Sequence, residues 1–136
     1  MAEPQQPRRV LLKLSGEALM GDQGFGISPD MLKYVAGEVH GLIELGVETA
    51  IVVGGGNIFR CLAGSEGGID RVTGDHMGML ATIINGIALR DLLEKTGLQV
   101  RLVSALEIKT VAESYMRRAV LRHLENKRVV IFAAGT

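Results

Sequence analysis

Cysteine occurs once in the 136 residues, at Cys61. No intrachain disulfide can form, and a reducing compartment fits this usage. Tryptophan is absent and aromatic residues make up only 4%. That is too few for the stacking platforms that hold single-stranded nucleic acid. Neither sign of charge dominates, with Lys+Arg at 15 and Asp+Glu at 15. A balanced chain is a poor candidate for phosphate-driven nucleic-acid binding or for a polybasic membrane module. No apolar run approaches the ~20 residues of a membrane span, and no signal-peptide core is visible. A soluble cytoplasmic protein is the expectation. Proline is scarce, and Pro4, Pro7 and Pro29 are the whole set. Residues 1–8 read as a disordered tail, and residues 9–136 as one domain.

Glycine is what the chain has in excess: 18 of 136 residues, about 13% against a usual ~7%. Much of it punctuates apolar runs. Val10 to Leu14 reads as a buried strand and is followed by Ser15-Gly16. A loop over Gly21, Asp22, Gln23, Gly24, Phe25 and Gly26 comes next. Ser28 then stands as a helix N-cap, with Pro29 at the first helical position and Gly46 as the stop. Thr49 to Val53 forms a second strand, ending in Gly54-Gly55-Gly56-Asn57. A second helix is expected from the Gly74-Asp75 region to about Gly97. Asp75 is a candidate N-cap for it, and Leu80, Ile84, Ile87 and Ala88 fall on one face. Val100 to Val103 is a third strand, residues 109–125 a third helix, and Arg128 to Ala133 a fourth strand. This alternation predicts an α/β fold: an open, mostly parallel sheet sandwiched by helices. Its last strand stops two residues into a glycine loop, so the chain reads as an incomplete part of a larger fold.

Three strands end in glycine: at Gly16, at Gly54 to Gly56, and at Gly135. In parallel α/β sheets, ligands sit beyond the carboxyl ends of the strands. Glycine lets backbone N–H groups approach an anion closely, so several such loops at one edge favour phosphate. The common phosphate motifs do not fit. No G-x-x-x-x-G-K-[ST] is present, and Phe59 stands where G-x-G-x-x-G needs its last glycine. Lys13, inside an apolar strand, is either a solvated strand-end lysine or a phosphate contact. Arg60, four residues past the triple glycine, is either a surface arginine or a bidentate phosphate clamp. Asp75 is either a cap or an acceptor for a ligand hydroxyl. His40, His76, His123 and Cys61 have no metal-ligand or nucleophile–base spacing, so no metal site is expected. Arg117, Arg118, Arg122, Lys127 and Arg128 read as the solvated face of the third helix.

Four stretches carry a resemblance: Leu11 to Leu19; Gly24-Phe25-Gly26-Ile27; Val53 to Arg60; and Gly74-Asp75-His76-Met77-Gly78-Met79-Leu80-Ala81-Thr82 with Asn85-Gly86. On these the chain resembles the N-terminal part of the bacterial uridylate (UMP) kinases, within the amino acid kinase fold family. The resemblance runs from about Arg9 to the end. It implies phosphoryl transfer from MgATP to UMP, with Mg²⁺ carried by ATP. It implies Lys13, Leu14, Ser15, Gly16, Gly56 and Arg60 at ATP, with Lys13 and Arg60 catalytic. Gly55 and Asp75 are implied at UMP. The loop Gly21 to Gly26 matches the segment associated with GTP activation, and the family implies hexamers and inhibition by UTP. Cys61 stands where relatives commonly carry glycine. Two other readings compete: another kinase of this fold with a carboxylate or small phosphate acceptor, and a non-catalytic nucleotide-binding or oligomerisation fragment. Against the first, the stretch Gly74 to Thr82 offers no basic carboxylate pocket.

Overall fold

In the computed structural model, residues 8–60 and 68–135 are described. The expected tail (apart from Arg8), Cys61 and Thr136 lie outside them. The chain runs β1 (Arg9–Leu14), α1 (Gly16–Met20), a 3-10 turn (Gly21–Gln23), α2 (Pro29–Glu44), β2 (Glu48–Val53), α3 (Arg71–Lys95), β3 (Val100–Ser104), β4 (Glu113–Ser114), α4 (Arg117–Glu125) and β5 (Val129–Ala133). The sheet has five strands in the order β1-β2-β5-β3-β4, and every described pairing is parallel. All carboxyl ends therefore lie along one edge, where the glycine loops emerge.

Side-chain alternation divides the sheet into two faces. Ile51 and Val53 of β2, and Val129, Ile131 and Ala133 of β5, pack with Leu19, Val35, Val39, Ile83, Leu89 and Leu93 of α1, α2 and α3. Ala50, Val103 and Val130 point the other way, onto Val120 and Leu124 of α4. Helices cover both faces, as expected. In β5, Val129, Val130 and Ile131 have no exposed surface at all. Each contributes about 1.5–3 kcal/mol by burial. The strand is central, so its near-continuous apolar sequence follows from having two covered faces.

The α2 signals act as expected. Ser28 accepts from the Met31 N–H at 3.4 Å, Pro29 opens the helix, and Gly46 takes φ +80° just after it. Two expectations need correction. The stretch 109–125 is not one helix: it holds the short parallel strand β4 and then α4. A histidine network fastens that strand. Arg128 donates to His123 Nδ1 at 3.1 Å, so the ring proton sits on Nε2 and donates to Glu113 at 2.9 Å. Secondly, α3 starts at Arg71 after Asp70, which places Asp75 inside the helix and not at its cap. The apolar face of α3 is not its packed one: Leu80 and Ile84 are 45% and 47% exposed, whereas Ala81, Asn85, Leu89 and Leu93 are buried. The packed face of α3 is rotated by one residue from the most apolar one. The cause is that small or polar residues, Ala81, Asn85 and Gly86, let the helix approach the sheet and the glycine loop closely.

Candidate phosphate-binding site

The first two glycine loops touch. A Cβ added at Gly16 would lie 2.5 Å from the backbone N of Gly56, 2.6 Å from Asn57 Oδ1 and 2.7 Å from the Asn57 N. Ordinary carbon contacts begin at roughly 3.5 Å, so no side chain fits there. Gly55 is pressed onto α3 in the same way. Its Cβ would meet the Ala81 Cβ at 2.8 Å, the Thr82 N at 3.0 Å and the Gly78 O at 3.1 Å. The third loop reaches the same helix. The Ala134 N–H donates to Thr82 Oγ1 at 2.7 Å, and that hydroxyl donates to the Met79 carbonyl at 2.6 Å. Ala134 is held at φ +63°, a conformation rare outside glycine. Three sequence-distant loops thus converge around the first half of α3.

Backbone bonding in the triple-glycine loop is one-sided. All of its carbonyls are taken: Gly54 O by Asn85 Nδ2, Gly55 O by the N–H groups of Ile58 and Phe59, Gly56 O by Arg60 Nε, and Asn57 O by the Gly26 N–H. The Gly54 N–H donates to Leu14 O at 2.8 Å. Among the described residues, no acceptor takes the N–H groups of Gly55, Gly56 or Asn57. Consecutive backbone N–H groups without protein acceptors make an anion-binding concavity.

Lys13 lies beside this cradle, one residue before the end of β1, and is exposed. No ion pair or hydrogen bond among the described residues engages its ammonium. Arg60 bends back over the loop. Its Nε donates to Gly56 O at 3.4 Å, and its guanidinium pairs with Glu17 in the first turn of α1. It is an exposed arginine, and a paired one. Asp75 is exposed and shares a helical face with Gly78 and Thr82, one turn before the seat of Gly55. It has no capping duty, and no ion pair or hydrogen bond among the described residues engages its carboxylate.

Leu14 and Ser15 are engaged locally. Leu14 O accepts from Gly54, and Ser15 Oγ caps α1 by accepting from the Ala18 N–H at 3.2 Å. Of the loop Gly21 to Gly26, Gly26 touches the site, through both of its backbone groups and Asn57. Asp22, Gln23, Gly24 and Phe25 are exposed. Sequence reasoning passed over Glu17, Asn57, Thr82 and Asn85 as individual residues. A signal existed for Asn85, an amide on the core side of a long helix, where asparagine is a weak helix former.

A cleft of about 740 Å³ lies elsewhere, at the β4 edge of the sheet, with Arg90, Arg101 and Lys109 in its lining. Those cations are already engaged, Arg90 with Val111 O and Glu94, Arg101 with Glu113, and Lys109 with Glu107. The glycine cradle, whose N–H groups meet no acceptor among the described residues, is the better anion site.

The family model described as the amino acid kinase family matches residues 8–136. The chain belongs to the amino acid kinase family. Within it, the chain is 58% identical to a curated uridylate kinase of Methylococcus capsulatus, over all of this chain and 56% of that protein. The solved UMP kinase of Bacillus anthracis superposes with a TM-score of 0.89 at 44% identity, covering 96% of this chain and 55% of that one. The UMP kinase of Ureaplasma parvum superposes with a TM-score of 0.88 at 30% identity, over 97% and 56% respectively. The chain therefore spans about half the length of the relatives it matches. No helix among the described residues is long and apolar enough to cross a membrane.

Proposed function

We propose that this chain supplies the acceptor and phosphate-loop half of a kinase that transfers the γ-phosphoryl group of MgATP to UMP, giving UDP and ADP. The observation that carries this reading is the cradle of N–H groups at Gly55, Gly56 and Asn57, flanked by Lys13 and Arg60, in a chain 58% identical to a uridylate kinase. In the reaction a phosphate oxygen of UMP attacks the γ-phosphorus. The bond from that phosphorus to the β,γ-bridging oxygen breaks, and its electron pair leaves with ADP. The attacking oxygen is already anionic near neutral pH, so no general base is needed. Catalysis then consists of alignment and of neutralising charge on the transferred group.

The chain's own residues divide these tasks. Lys13 places a point charge at the β1 end, where the ATP phosphates lie. The N–H groups of Gly16 and Gly56 approach the same phosphates, with Leu14 and Ser15 shaping the turn beneath them. Arg60, released from Glu17, contacts the group in flight. Gly55, seated directly on α3, offers its N–H to UMP, and Asp75 accepts from its ribose. The donor set of lysine, arginine and backbone N–H suits phosphate oxygens, and Mg²⁺ enters as part of the MgATP substrate. The same reading makes GTP an activator acting at Gly21 to Gly26, UTP an inhibitor, the assembly a hexamer and the location cytoplasmic.

The test is UDP formation by the full-length protein, with UMP compared against other nucleoside monophosphates and against carboxylate acceptors. Selective UDP formation is expected. Phosphorylation of a carboxylate in its place would overturn the reading.

A further inference from the structure

Asn57 and Asn85 are the two fully buried side-chain amides of the described residues, at 1% and 0% exposure. They face each other and exchange hydrogen bonds in both directions. Asn57 Nδ2 donates to Asn85 Oδ1 at 3.0 Å, and Asn85 Nδ2 donates to Asn57 Oδ1 at 2.7 Å. Their second amide hydrogens go to loop carbonyls. Asn57 reaches Gly26 O at 2.9 Å, and Asn85 reaches Gly54 O at 2.7 Å. All four amide hydrogens are used. The Gly26 N–H also donates to Asn57 O at 2.8 Å, so both backbone groups of Gly26 are bound to one residue.

Burying an amide is costly unless every polar atom is paired, and a leucine at either position would avoid that cost. The amides do something an apolar side chain could not. A loop that keeps its N–H groups unpaired for a ligand still has carbonyls to satisfy. No neighbouring strand supplies donors to Gly54 O and Gly26 O; the two asparagines do. The clasp thereby ties three elements into one body: the glycine loop, the middle of α3 and the loop that ends at Gly26.

We propose that Asn57 and Asn85 are positioning residues for phosphoryl transfer: acting as a single amide clasp, they hold the Gly55, Gly56 and Asn57 N–H groups in place and lock the Gly26 loop to them. This rests on the kinase reading above, and it adds the residues that set the cradle's geometry. Neither side chain needs to touch nucleotide, because all of their amide hydrogens are already spent inside the protein.

The experiment uses the full-length protein with Asn57→Ala, Asn85→Ala and the double variant, and with Asn57→Ser and Asn85→Ser as milder versions. Wild-type UDP formation is measured first, so failure of the kinase reading appears there and nowhere else. Each alanine variant is expected to lose about a hundredfold in kcat, the cost of a ~1 Å misplacement, with the UMP KM little changed. The double variant should lose little more than either single one, since parts of one unit are non-additive. Amide hydrogen exchange provides a readout without turnover. Asn85→Ala should raise exchange at Gly26, which Asn85 does not touch, by about tenfold. If an alanine variant does not fold, the serine variants carry the same two readouts. Folded variants with wild-type kcat, or unchanged exchange at Gly26 in Asn85→Ala or Asn85→Ser, would overturn the proposal.

Discussion

Replacing Gly16 by alanine tests the site with one methyl group. Gly16 is the first residue of α1, where alanine would ordinarily be favoured over glycine by about 1 kcal/mol. Here the new Cβ would stand 2.5 Å from the Gly56 N, 2.6 Å from Asn57 Oδ1 and 2.7 Å from the Asn57 N. Reaching roughly 3.5 Å requires the chain segments to separate by about 1 Å. None of the three atoms is the end of a flexible side chain, since two are backbone and the third is held in the amide clasp. Overpacking of this kind costs ~1–3 kcal/mol, which outweighs the gain in helix propensity. The separation falls on two of the N–H groups proposed to hold phosphate, and a ~1 Å displacement there costs about a hundredfold in rate. The assays are Tm by calorimetry and kcat/KM for UDP formation by the full-length protein. Gly16→Ala is expected to lower both, the activity far more. A variant as active as wild type and more stable would refute the close approach of the two loops and its role in catalysis.

Lys13→Ala should lower kcat by about a hundredfold, corresponding to ~3 kcal/mol of transition-state stabilisation, while UMP binding measured by calorimetry changes little. Asp75→Asn should weaken UMP binding by ~1.5–3 kcal/mol and leave ATP binding intact; equal weakening of both would reject its place at the ribose. Gly86→Ala separates packing from chemistry, because its Cβ would meet Leu102 Cδ1 at 2.6 Å in the core. Overpacking of ~1–3 kcal/mol, partly offset by a gain of about 1 kcal/mol in helix propensity, is expected to leave a modest net loss of stability, seen as a lower Tm, with kcat retained below the transition. Residues 1–136 expressed alone should form no UDP, since the matched relatives are nearly twice as long and alignment of both nucleotides is most of the catalysis.

Most of the sheet was legible in the sequence because β2, β3 and β5 are largely apolar runs, and β1, β2 and β5 lead into glycine. Val129 to Ala133 could hardly be anything but a central strand. The glycine loops and Lys13 were legible for the same reason, since a charge and flexible residues stand out against an apolar run. Two kinds of feature were hidden. β4 has only two residues, Glu113 and Ser114, and is fastened by His123 and Arg128, which lie well beyond it in the chain. No local periodicity announces such a strand. The orientation of α3 was hidden because its packed face uses small and polar residues, while Leu80 and Ile84 remain outside. Hydrophobic pattern selects the greasiest face; close approach to a backbone selects the smallest. The asparagine clasp combines both difficulties, joining residues 57 and 85 through contacts that only the fold creates.

The most direct measurement is a crystal structure of the full-length protein with UMP and a non-hydrolysable ATP analogue. The expected result is phosphate oxygens within about 3.2 Å of the Gly55, Gly56 or Asn57 nitrogens, with Lys13 Nζ on the same phosphates. Phosphates seated elsewhere, for example in the cleft beside Arg90 and Arg101, with the glycine cradle holding only water, would contradict it.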